Sequence, residues 1–333
     1  MKELVAGVDI GGTNTVFALI DEFGKIYSKG SFPTRDYTDF DLYVAKLYEE
    51  INNISKQIDE KHVIRAVGIG APNGNYYSGS IEHAPNLIWK GKLPLAKQLS
   101  SLFNGLPVVV TNDANAAAIG EMIYGGAKGM KDFIVITLGT GLGSGIVVGG
   151  NVVYGNDGFA GEVGHIRVVK EHGRECGCGR TGCLECYASA TGLKRTAFEL
   201  MCNLNAPSKL REIPFEKLTA KDIGLAAKSG DTIAKECFEV TGEILGEALA
   251  NVVAVTAPEA IFLFGGVANA GDLILNPTKQ AMEKNMLNLW KGKVKLILSS
   301  IDSENAPILG AGALAIKEVQ KKNEELVGRR KVI

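Results

Sequence analysis

The 333-residue chain lacks a long apolar run, a signal segment and an excess of charge. No stretch approaches the roughly 18 apolar residues that a membrane span needs. The first four residues, MKEL, lack the order of basic, apolar and small residues that marks a secretory signal. Because 36 basic side chains balance 37 acidic ones, no overall positive field favours nucleic acid. We therefore expect a soluble cytoplasmic protein with a small-molecule ligand and with no nucleic-acid or membrane partner.

Two common nucleotide-binding motifs are also missing. The chain contains no Gly-x-x-x-x-Gly-Lys-Ser/Thr sequence, which excludes a P-loop as the nucleotide site. Its only Gly-x-Gly-x-x-Gly sequence, at Gly177, Gly179 and Gly182, lies inside a cysteine cluster rather than between a strand and a helix. A dinucleotide-dependent dehydrogenase therefore has no support in the motifs.

One pattern of strands and glycine turns occurs twice. An apolar strand at residues 4–9 is followed by a glycine turn, a strand, a turn and a strand, and residues 133–154 repeat this order. We infer an internal duplication from this repeat. The later segments alternate between helix and strand patterns, which predicts α/β layers. The length suggests two domains, and a 46% hydrophobic content is enough to give each a core.

Four of the six cysteines fall within eleven residues, where they suggest a metal site rather than disulfides. His165, Cys176, Cys178 and Cys183 form the pattern His-x10-Cys-x-Cys-x4-Cys. Three thiolates and one imidazole make a closed tetrahedral zinc shell, which is typical of structural zinc. Cys186 is the substitute ligand, and a loop of reduced thiols is the alternative interpretation. Three intervening glycines let the short chain wrap an ion without steric clash; they are Gly177, Gly179 and Gly182.

Two glycine turns could hold phosphate groups. The first glycine turn, residues 11–13, follows Asp9 at the end of the first strand. Consecutive glycines expose backbone N–H groups to phosphate oxygens, and Asp9 can hold the water shell of Mg²⁺. Taken alone, residues 9–13 are also typical of an ordinary hairpin turn. The second glycine turn, residues 139–141, repeats the feature, and together the two predict a site for one triphosphate.

Polar residues follow the strand at residues 107–110 and flank the cysteine block. Asn112 and Asp113 lie where open α/β sheets bind ligands, although Asp113 could simply cap the next helix.

If His165 binds a metal, Glu162 and Glu185 are both anchored near one ion. Carboxylates held in this way can accept hydrogen bonds from the hydroxyls of a sugar. Considered singly, Glu162 and Glu185 are each more typical of a solvated charge on a loop.

With these motifs the chain resembles the ROK family (repressors, open reading frames and sugar kinases) of the actin-like ATPase superfamily, and within it the bacterial glucokinases. The resemblance covers residues 4–317. The matching segments are residues 9–13, 112–113, 139–141, 162–165, 176–185, 188–192 and 264–266.

The resemblance implies a fold of duplicated actin-like (ribonuclease H-like) α/β domains with an interdomain cleft. Residues 1–115 would form a small N-terminal domain, on which a C-terminal helix at about residues 305–325 packs. Residues 116–304 would form a large domain that carries the zinc-binding loop. A homodimer is the implied assembly.

The resemblance also implies ATP-dependent phosphorylation of glucose at its 6-hydroxyl, with Asp113 as the base. The implied cofactors are ATP, Mg²⁺ and structural Zn²⁺. The implied sugar-binding residues, besides Asp113, are Asn86, Asn112, Glu162, His165 and Glu185. The implied residues for ATP and Mg²⁺ are Asp9, Gly11, Gly12, Thr13, Gly139, Thr140, Gly141, Gly265 and Gly266.

Two alternatives remain open. The chain could phosphorylate a related sugar instead, namely N-acetylglucosamine, N-acetylmannosamine, fructose or mannose, because one sequence does not resolve the pocket differences. It could also be a sugar-sensing repressor of the same family. Such repressors carry a winged helix-turn-helix before the first strand, and this strand begins at Leu4, so a repressor would lack its DNA-binding domain.

Overall fold

A computed structural model describes residues 1–302 and 305–330. Its strands are β1 (Lys2–Ile10), β2 (Asn14–Ile20), β3 (Ile26–Pro33), β4 (His62–Gly70), β5 (Gly74–Asn75), β6 (Ser80–Glu82), β7 (Lys92–Leu93), β8 (Val108–Thr111), β9 (Phe133–Leu138), β10 (Leu142–Val148), β11 (Asn151–Val152), β12 (Ala260–Phe264) and β13 (Lys295–Leu298). Its helices are α1 (Phe40–Lys56), α2 (Leu95–Leu102), α3 (Asp113–Tyr124), α4 (Ala190–Asn203), α5 (Ala220–Lys228), α6 (Thr232–Thr256), α7 (Asp272–Asn285) and α8 (Ala306–Arg330). Within the described residues, no helix is long and apolar enough to cross a membrane.

The chain forms two compact units. Unit 1 comprises Met1–Gly129, Tyr154–Ala160 and the C-terminal segment from Ile301. Unit 2 comprises Met130–Val153 and Gly161–Ser300. Each unit contains one five-stranded sheet within the part of the chain that the structure describes.

The sheet of unit 1 has the strand order β3-β2-β1-β4-β8. Strands β1, β2 and β3 form an antiparallel meander, whereas β4 runs parallel to both β1 and β8. Successive residues of β1 face opposite sides, as strand geometry requires. Leu4 and Val8 pack in the core that includes α1 and α2, while Val5 packs in the core that includes α8. The sheet is therefore covered by helices on both faces.

The sheet of unit 2 has the order β11-β10-β9-β12-β13. Its first three strands are again an antiparallel meander, and β12 runs parallel to β9 and β13. The order and the directions match those of unit 1 strand for strand. The predicted duplication of an α/β domain is therefore confirmed.

The helices of unit 2 bury one large apolar core against its sheet. This core includes Ile134 and Ile136 of β9, Leu245 and Leu249 of α6, and Ile223 of α5. Helices α6 and α7 pack along each other. Helix α5 has only nine residues, so its helical periodicity spans little more than two turns and is difficult to recognise in the sequence.

The segment between β4 and α2 contains three short strands that the sequence pattern does not indicate. Strands β5, β6 and β7 pair there as a small antiparallel sheet. Two of these strands have only two residues, which is too short for an alternating hydrophobic pattern to show. The side chain of Trp89 in this segment is buried against Tyr43 and donates through Nε1 to the carbonyl of Tyr37 at 2.9 Å.

The units divide after Gly129 rather than after Asn115, where the sequence interpretation placed the boundary. Helix α3 stays with unit 1 because it packs on α8, which also packs on β1 and β4. The segment Tyr154–Ala160 returns to unit 1 as well. There Tyr154 stacks on Tyr76, with ring centroids 4.3 Å apart. These contacts join distant parts of the chain, so local sequence patterns do not report them.

Candidate functional site

The register of the unit 1 sheet aligns the ends of three parallel strands. Asp9 of β1 pairs with Gly70 of β4, and Gly70 pairs with Thr111 of β8. Asn112 and Asp113 follow Thr111 directly, and Asp113 begins α3. Asp9, Asn112 and Asp113 therefore lie at the carboxyl edge of one sheet, where open α/β sheets bind ligands.

The carboxylates of Asp9 and Asp113 lie in a poorly hydrated environment. Burial raises the pKa of Asp9 to about 7, and the negative charge of Asp113 adds to the shift. Desolvation also raises the pKa of Asp113, although hydrogen bonds from backbone N–H groups oppose this shift. A large share of the Asp113 surface reaches solvent, yet the protein atoms around its carboxylate still displace much of its hydration. Two such carboxylates near each other favour a bound cation and are typical of functional sites.

Asn112, and not Asp113, is the N-cap of α3. Its backbone is extended, and its side chain accepts a hydrogen bond from Ala114 N at 2.8 Å. Asp113 Oδ1 accepts from the same N–H at 2.8 Å but belongs to the first helical turn. The alternative interpretation of Asp113 as the cap residue is therefore wrong, because Asn112 already supplies that acceptor.

The first glycine turn joins β1 to β2 and contacts two other segments of unit 1. A methyl group on Gly12 would lie 2.6 Å from the carbonyl oxygen of Asn86, so the two backbones touch. Arg35 Nε donates to the carbonyl of Gly12 at 2.9 Å. The structure thus brings Asn86, which the resemblance alone indicated, to the first glycine turn and adds a cationic side chain beside it.

The second glycine turn joins β9 to β10 in unit 2. Its carbonyl groups accept hydrogen bonds from the start of α4. Ala190 N donates to Gly139 O at 2.8 Å, and Thr191 Oγ1 donates to Thr140 O at 2.9 Å. The turn is therefore held in place from the side of α4.

Gly265 and Gly266 lie close to the second glycine turn. They follow β12, which runs parallel to β9 with Phe264 paired to Thr137. The carboxyl ends of these two strands therefore share one edge of the unit 2 sheet. Gly265 has a φ of 103°, a conformation that favours glycine. The structure thus places the five residues of unit 2 that were predicted to bind nucleotide close together; they are Gly139, Thr140, Gly141, Gly265 and Gly266.

Four side chains of unit 2 form a cluster with the spacing of a zinc site. One ligand atom each from His165, Cys176, Cys178 and Cys183 lies within 4.8 Å of the others. The Sγ atoms of Cys178 and Cys183 are 3.7 Å apart, as are Cys176 Sγ and His165 Nδ1. A tetrahedral zinc ion with usual bond lengths separates two sulfurs by about 3.8 Å, and a sulfur from a nitrogen by about 3.6 Å. The donor set therefore fits zinc in both chemistry and spacing.

Short backbone pairings bring these ligands together. We call residues 165–183 the metal loop. Antiparallel bridges join Arg167 to Cys183 and Glu175 to Thr181. His165 ends a 3₁₀ turn, Val163–His165, which precedes the loop. The ligands are thus held on a folded loop rather than on a helix or a sheet.

The two ring nitrogens of His165 face different groups. Nδ1 lies toward Cys176, whereas Nε2 lies 4.0 Å from Glu162 Oε2. A metal bound at Nδ1 would leave Nε2 directed toward the side of Glu162. The ring can therefore join a metal cluster and a polar site at once.

Cys186 lies outside the ligand cluster. Its thiol is buried and donates to the carbonyl of Glu175 at 3.4 Å. The four groups that could hold an ion include Cys183 instead. The geometry therefore favours Cys183 as the fourth donor.

Glu185 contacts both the metal cluster and the second glycine turn. Its Oε1 lies 3.8 Å from Cys176 Sγ, and its Oε2 accepts from Leu142 N at 3.0 Å. Leu142 directly follows the second glycine turn. The sequence interpretation assigned Glu185 to sugar binding only, and the contact with Leu142 N was not foreseen.

Two substitutions in the metal loop are expected to have opposite outcomes. Gly182 has a φ of 77°, and a methyl group there would lie 1.9 Å from the carbonyl oxygen of Val169. Gly177 has no positive φ and no atom within 4 Å of such a methyl, so neither the backbone conformation nor a steric clash requires glycine there. We expect Gly182→Ala to destabilise the protein by about 1–3 kcal/mol and to reduce bound metal, whereas Gly177→Ala changes neither. Thermal unfolding and metal analysis of the pair test this, and equal behaviour of the two variants would contradict the loop geometry.

Sequence reasoning missed two residues that contact the glycine turns. Arg35 lies on a 3₁₀ turn after β3, and Thr191 lies in the first turn of α4. Each makes a single contact with a turn carbonyl. Arg35 lies outside the segments that match the family, and Thr191 lies in one of them, residues 188–192, which gave it no role of its own, so only the structure reveals these contacts.

The chain is similar to known proteins along nearly its whole length. A model of the ROK family matches residues 5–318. A glucokinase of Halalkalibacterium halodurans is 37% identical over 326 residues, covering 96% of this chain and 97% of that protein. A xylose repressor of Bacillus subtilis is 28% identical and covers 92% of this chain and 72% of the repressor.

A solved structure shows the same fold. The ROK family glucokinase of Streptomyces griseus, solved in complex with glucose and AMPPNP, superposes with a TM-score of 0.77 at 35% identity. The match covers 94% of this chain and 99% of that one. The family match over most of the chain confirms the resemblance seen in the motifs. The likenesses to the glucokinases of Halalkalibacterium halodurans and Streptomyces griseus, which span nearly the full length of each chain, confirm it as well. This protein belongs to the ROK family.

Proposed function

We propose that this protein transfers the γ-phosphoryl group of ATP to the 6-hydroxyl of glucose. The observation that carries the proposal is the desolvated carboxylate of Asp113, beside Asp9 at the carboxyl edge of the unit 1 sheet. The near full-length likeness to a glucokinase, and to a glucokinase structure with glucose and AMPPNP, supports it.

Asp113 would act on the attacking hydroxyl. Phosphoryl transfer depends mainly on positioning and charge neutralisation, because its transition state is loose. A carboxylate is too weak a base to ionise a sugar alcohol beforehand. Asp113 therefore orients the 6-hydroxyl and accepts its proton late, as the oxygen bonds to the γ-phosphorus and ADP leaves. Its raised pKa makes it a better proton acceptor than an ordinary aspartate at neutral pH.

Polar side chains that the resemblance implies would bind the remaining sugar hydroxyls. They are Asn86, Asn112, Glu162, Glu185 and His165, which offers its Nε2 atom. Carboxylates accept hydrogen bonds from hydroxyls and imidazole can donate or accept, so the set suits a polyhydroxylated ligand.

Backbone groups would bind the nucleotide. We assign the phosphates to Gly11, Gly12, Thr13, Gly139, Thr140 and Gly141, and the adenosine to Gly265 and Gly266. Asp9 would hold Mg²⁺ through its water shell, because a cation there would offset the negative charge that its buried carboxylate shares with the neighbouring Asp113. When bound, Mg²⁺ neutralises charge on the transferring phosphate oxygens.

The cluster of His165, Cys176, Cys178 and Cys183 would hold structural zinc. All four ligand positions are supplied by protein, which leaves no open position for chemistry. The metal would stabilise the loop that places Glu162, His165 and Glu185. Its role is therefore structural, and the reaction does not pass through it.

An ATP-coupled assay across five sugars tests the proposal. We expect kcat/KM to be higher for glucose than for mannose, fructose, N-acetylglucosamine or N-acetylmannosamine. A higher kcat/KM for another of these sugars would refute the glucose assignment but leave the sugar kinase. Sugar binding without phosphorylation of any sugar would instead support the sugar-sensing alternative.

Two further expectations accompany this proposal. A homodimer, which the resemblance implies, is tested by sedimentation velocity of the purified chain. A cytoplasmic location is tested by fractionating cells that produce the protein. Both stay predictions about the proposed enzyme.

A further inference from the structure

We propose that Glu185 and Thr191 are positioning residues of the nucleotide site, which hold the second glycine turn in the form that receives phosphate. The proposal concerns unit 2 alone and rests on the proposed binding of ATP at this turn. It adds a role to Glu185 and assigns one to Thr191.

Donors from the start of α4 hold two consecutive carbonyls of the turn. Ala190 N donates to Gly139 O at 2.8 Å, and Thr191 Oγ1 donates to Thr140 O at 2.9 Å. In a planar trans peptide the carbonyl and the following N–H point in opposite directions. Holding these two carbonyls toward α4 therefore directs the N–H groups of Thr140 and Gly141 away from it. Exposed consecutive N–H groups of this kind bind phosphate oxygens.

Glu185 holds the end of the same turn. Its Oε2 accepts a hydrogen bond from Leu142 N at 3.0 Å. A methyl group on Gly141 would lie only 2.2 Å from this oxygen, so the carboxylate packs directly on the turn backbone. A glutamate with a free carboxylate at this position would repel a bound phosphate. The carboxylate of Glu185 instead accepts the hydrogen bond from Leu142 N. The contact therefore points to a positioning role that the acceptor oxygen, rather than the charge, performs.

These contacts connect the turn to the metal loop. Cys183, a candidate metal ligand, immediately precedes the 3₁₀ turn Leu184–Cys186 that carries Glu185. Helix α4 begins a few residues later, with Ser189 as its N-cap. One short segment of chain therefore joins the metal loop to the residues that hold the second glycine turn. Ordering the metal loop would also order these residues.

Nucleotide binding without sugar tests the proposal. The dissociation constant of ADP with Mg²⁺ is measured by calorimetry on the full chain, with metal content checked for each variant. We expect Thr191→Val to weaken binding about fivefold, because it removes one hydrogen bond, and Glu185→Ala to weaken it about 10- to 100-fold. Glu185→Gln keeps an acceptor oxygen and should stay within about threefold of the unaltered protein.

Glu259→Ala is the matched control, because Glu259 Oε1 also accepts a hydrogen bond from a backbone N–H of unit 2, that of Lys131 at 2.9 Å, and belongs to none of the proposed sites. We expect it to leave the ADP dissociation constant unchanged. Unchanged ADP binding in Thr191→Val would overturn the proposal even if Glu185→Ala lost its metal. Because no sugar is present, this result stays separate from failure of the proposed kinase activity, which the sugar assay reports.

Discussion

We expect Asp113→Ala to lower kcat by about 10²- to 10⁴-fold, with a much smaller effect on KM for ATP. The carboxylate is desolvated at the carboxyl edge of the unit 1 sheet, where it would align the attacking hydroxyl and take its proton. Removing it takes away both functions. Steady-state kinetics with glucose and ATP measure the effect.

Helix capping has to be separated from catalysis in this test. Asp113 Oδ1 accepts a hydrogen bond from Ala114 N, so its loss could also weaken α3. Asp113→Asn keeps a side-chain oxygen of similar shape but cannot accept the proton, and we expect a loss of kcat close to that of Asp113→Ala. Asp39→Ala removes the N-cap acceptor of α1 in the same unit and should leave kcat unchanged while lowering stability by about 1 kcal/mol. Near-normal turnover of Asp113→Asn would refute the assignment.

The second large effect is expected from loss of a metal ligand. Cys183 is 1% exposed, belongs to the four-residue cluster and starts the turn that carries Glu185. We expect Cys183→Ala to lower zinc affinity by more than about 100-fold and to reduce the temperature of unfolding. Because the metal loop would hold both His165 and Glu185, kcat/KM for glucose should fall as well. Metal analysis after purification without chelator and thermal unfolding measure these changes.

Cys186→Ser is the matched control for that variant. Cys186 is buried in the same part of the chain, but its thiol donates to the carbonyl of Glu175 and lies outside the cluster. A serine hydroxyl can make the same hydrogen bond, so zinc content should not change. Protein that carries no zinc before any substitution would contradict the structural metal site, and zinc loss in Cys186→Ser would reassign the fourth ligand.

Much of the site could be predicted because its signals are local. The spacing of His165 and three cysteines indicated a metal cluster, and the structure places one donor atom of each within 4.8 Å of the others. The strand predicted at the start of the repeat over residues 133–154 agrees with β9. The repeated order of strand, glycine turn and strand indicated the duplication that the two matching sheets confirm.

Other features depend on contacts between distant segments and could not be predicted. The division of the units lies after Gly129 because α8, from the far end of the chain, packs on α3. The identity of the cap residue of α3 depended on backbone angles, which the residue types alone did not decide. The contacts of Arg35 and Thr191 with the glycine turns each involve one hydrogen bond, and no motif indicated either contact.

The sequence by itself determined the chemical groups of this protein and their local order: two glycine turns, a thiolate and imidazole cluster, and an aspartate after a buried strand. Spacing over a few residues is enough for these because the chain connecting them is short. Only the tertiary structure decided that burial, with the charge of Asp113 added to it, raises the pKa of Asp9, and that Glu185 accepts a hydrogen bond from Leu142 N. Both depend on strand register and loop packing, which bring together residues that the chain itself keeps far apart.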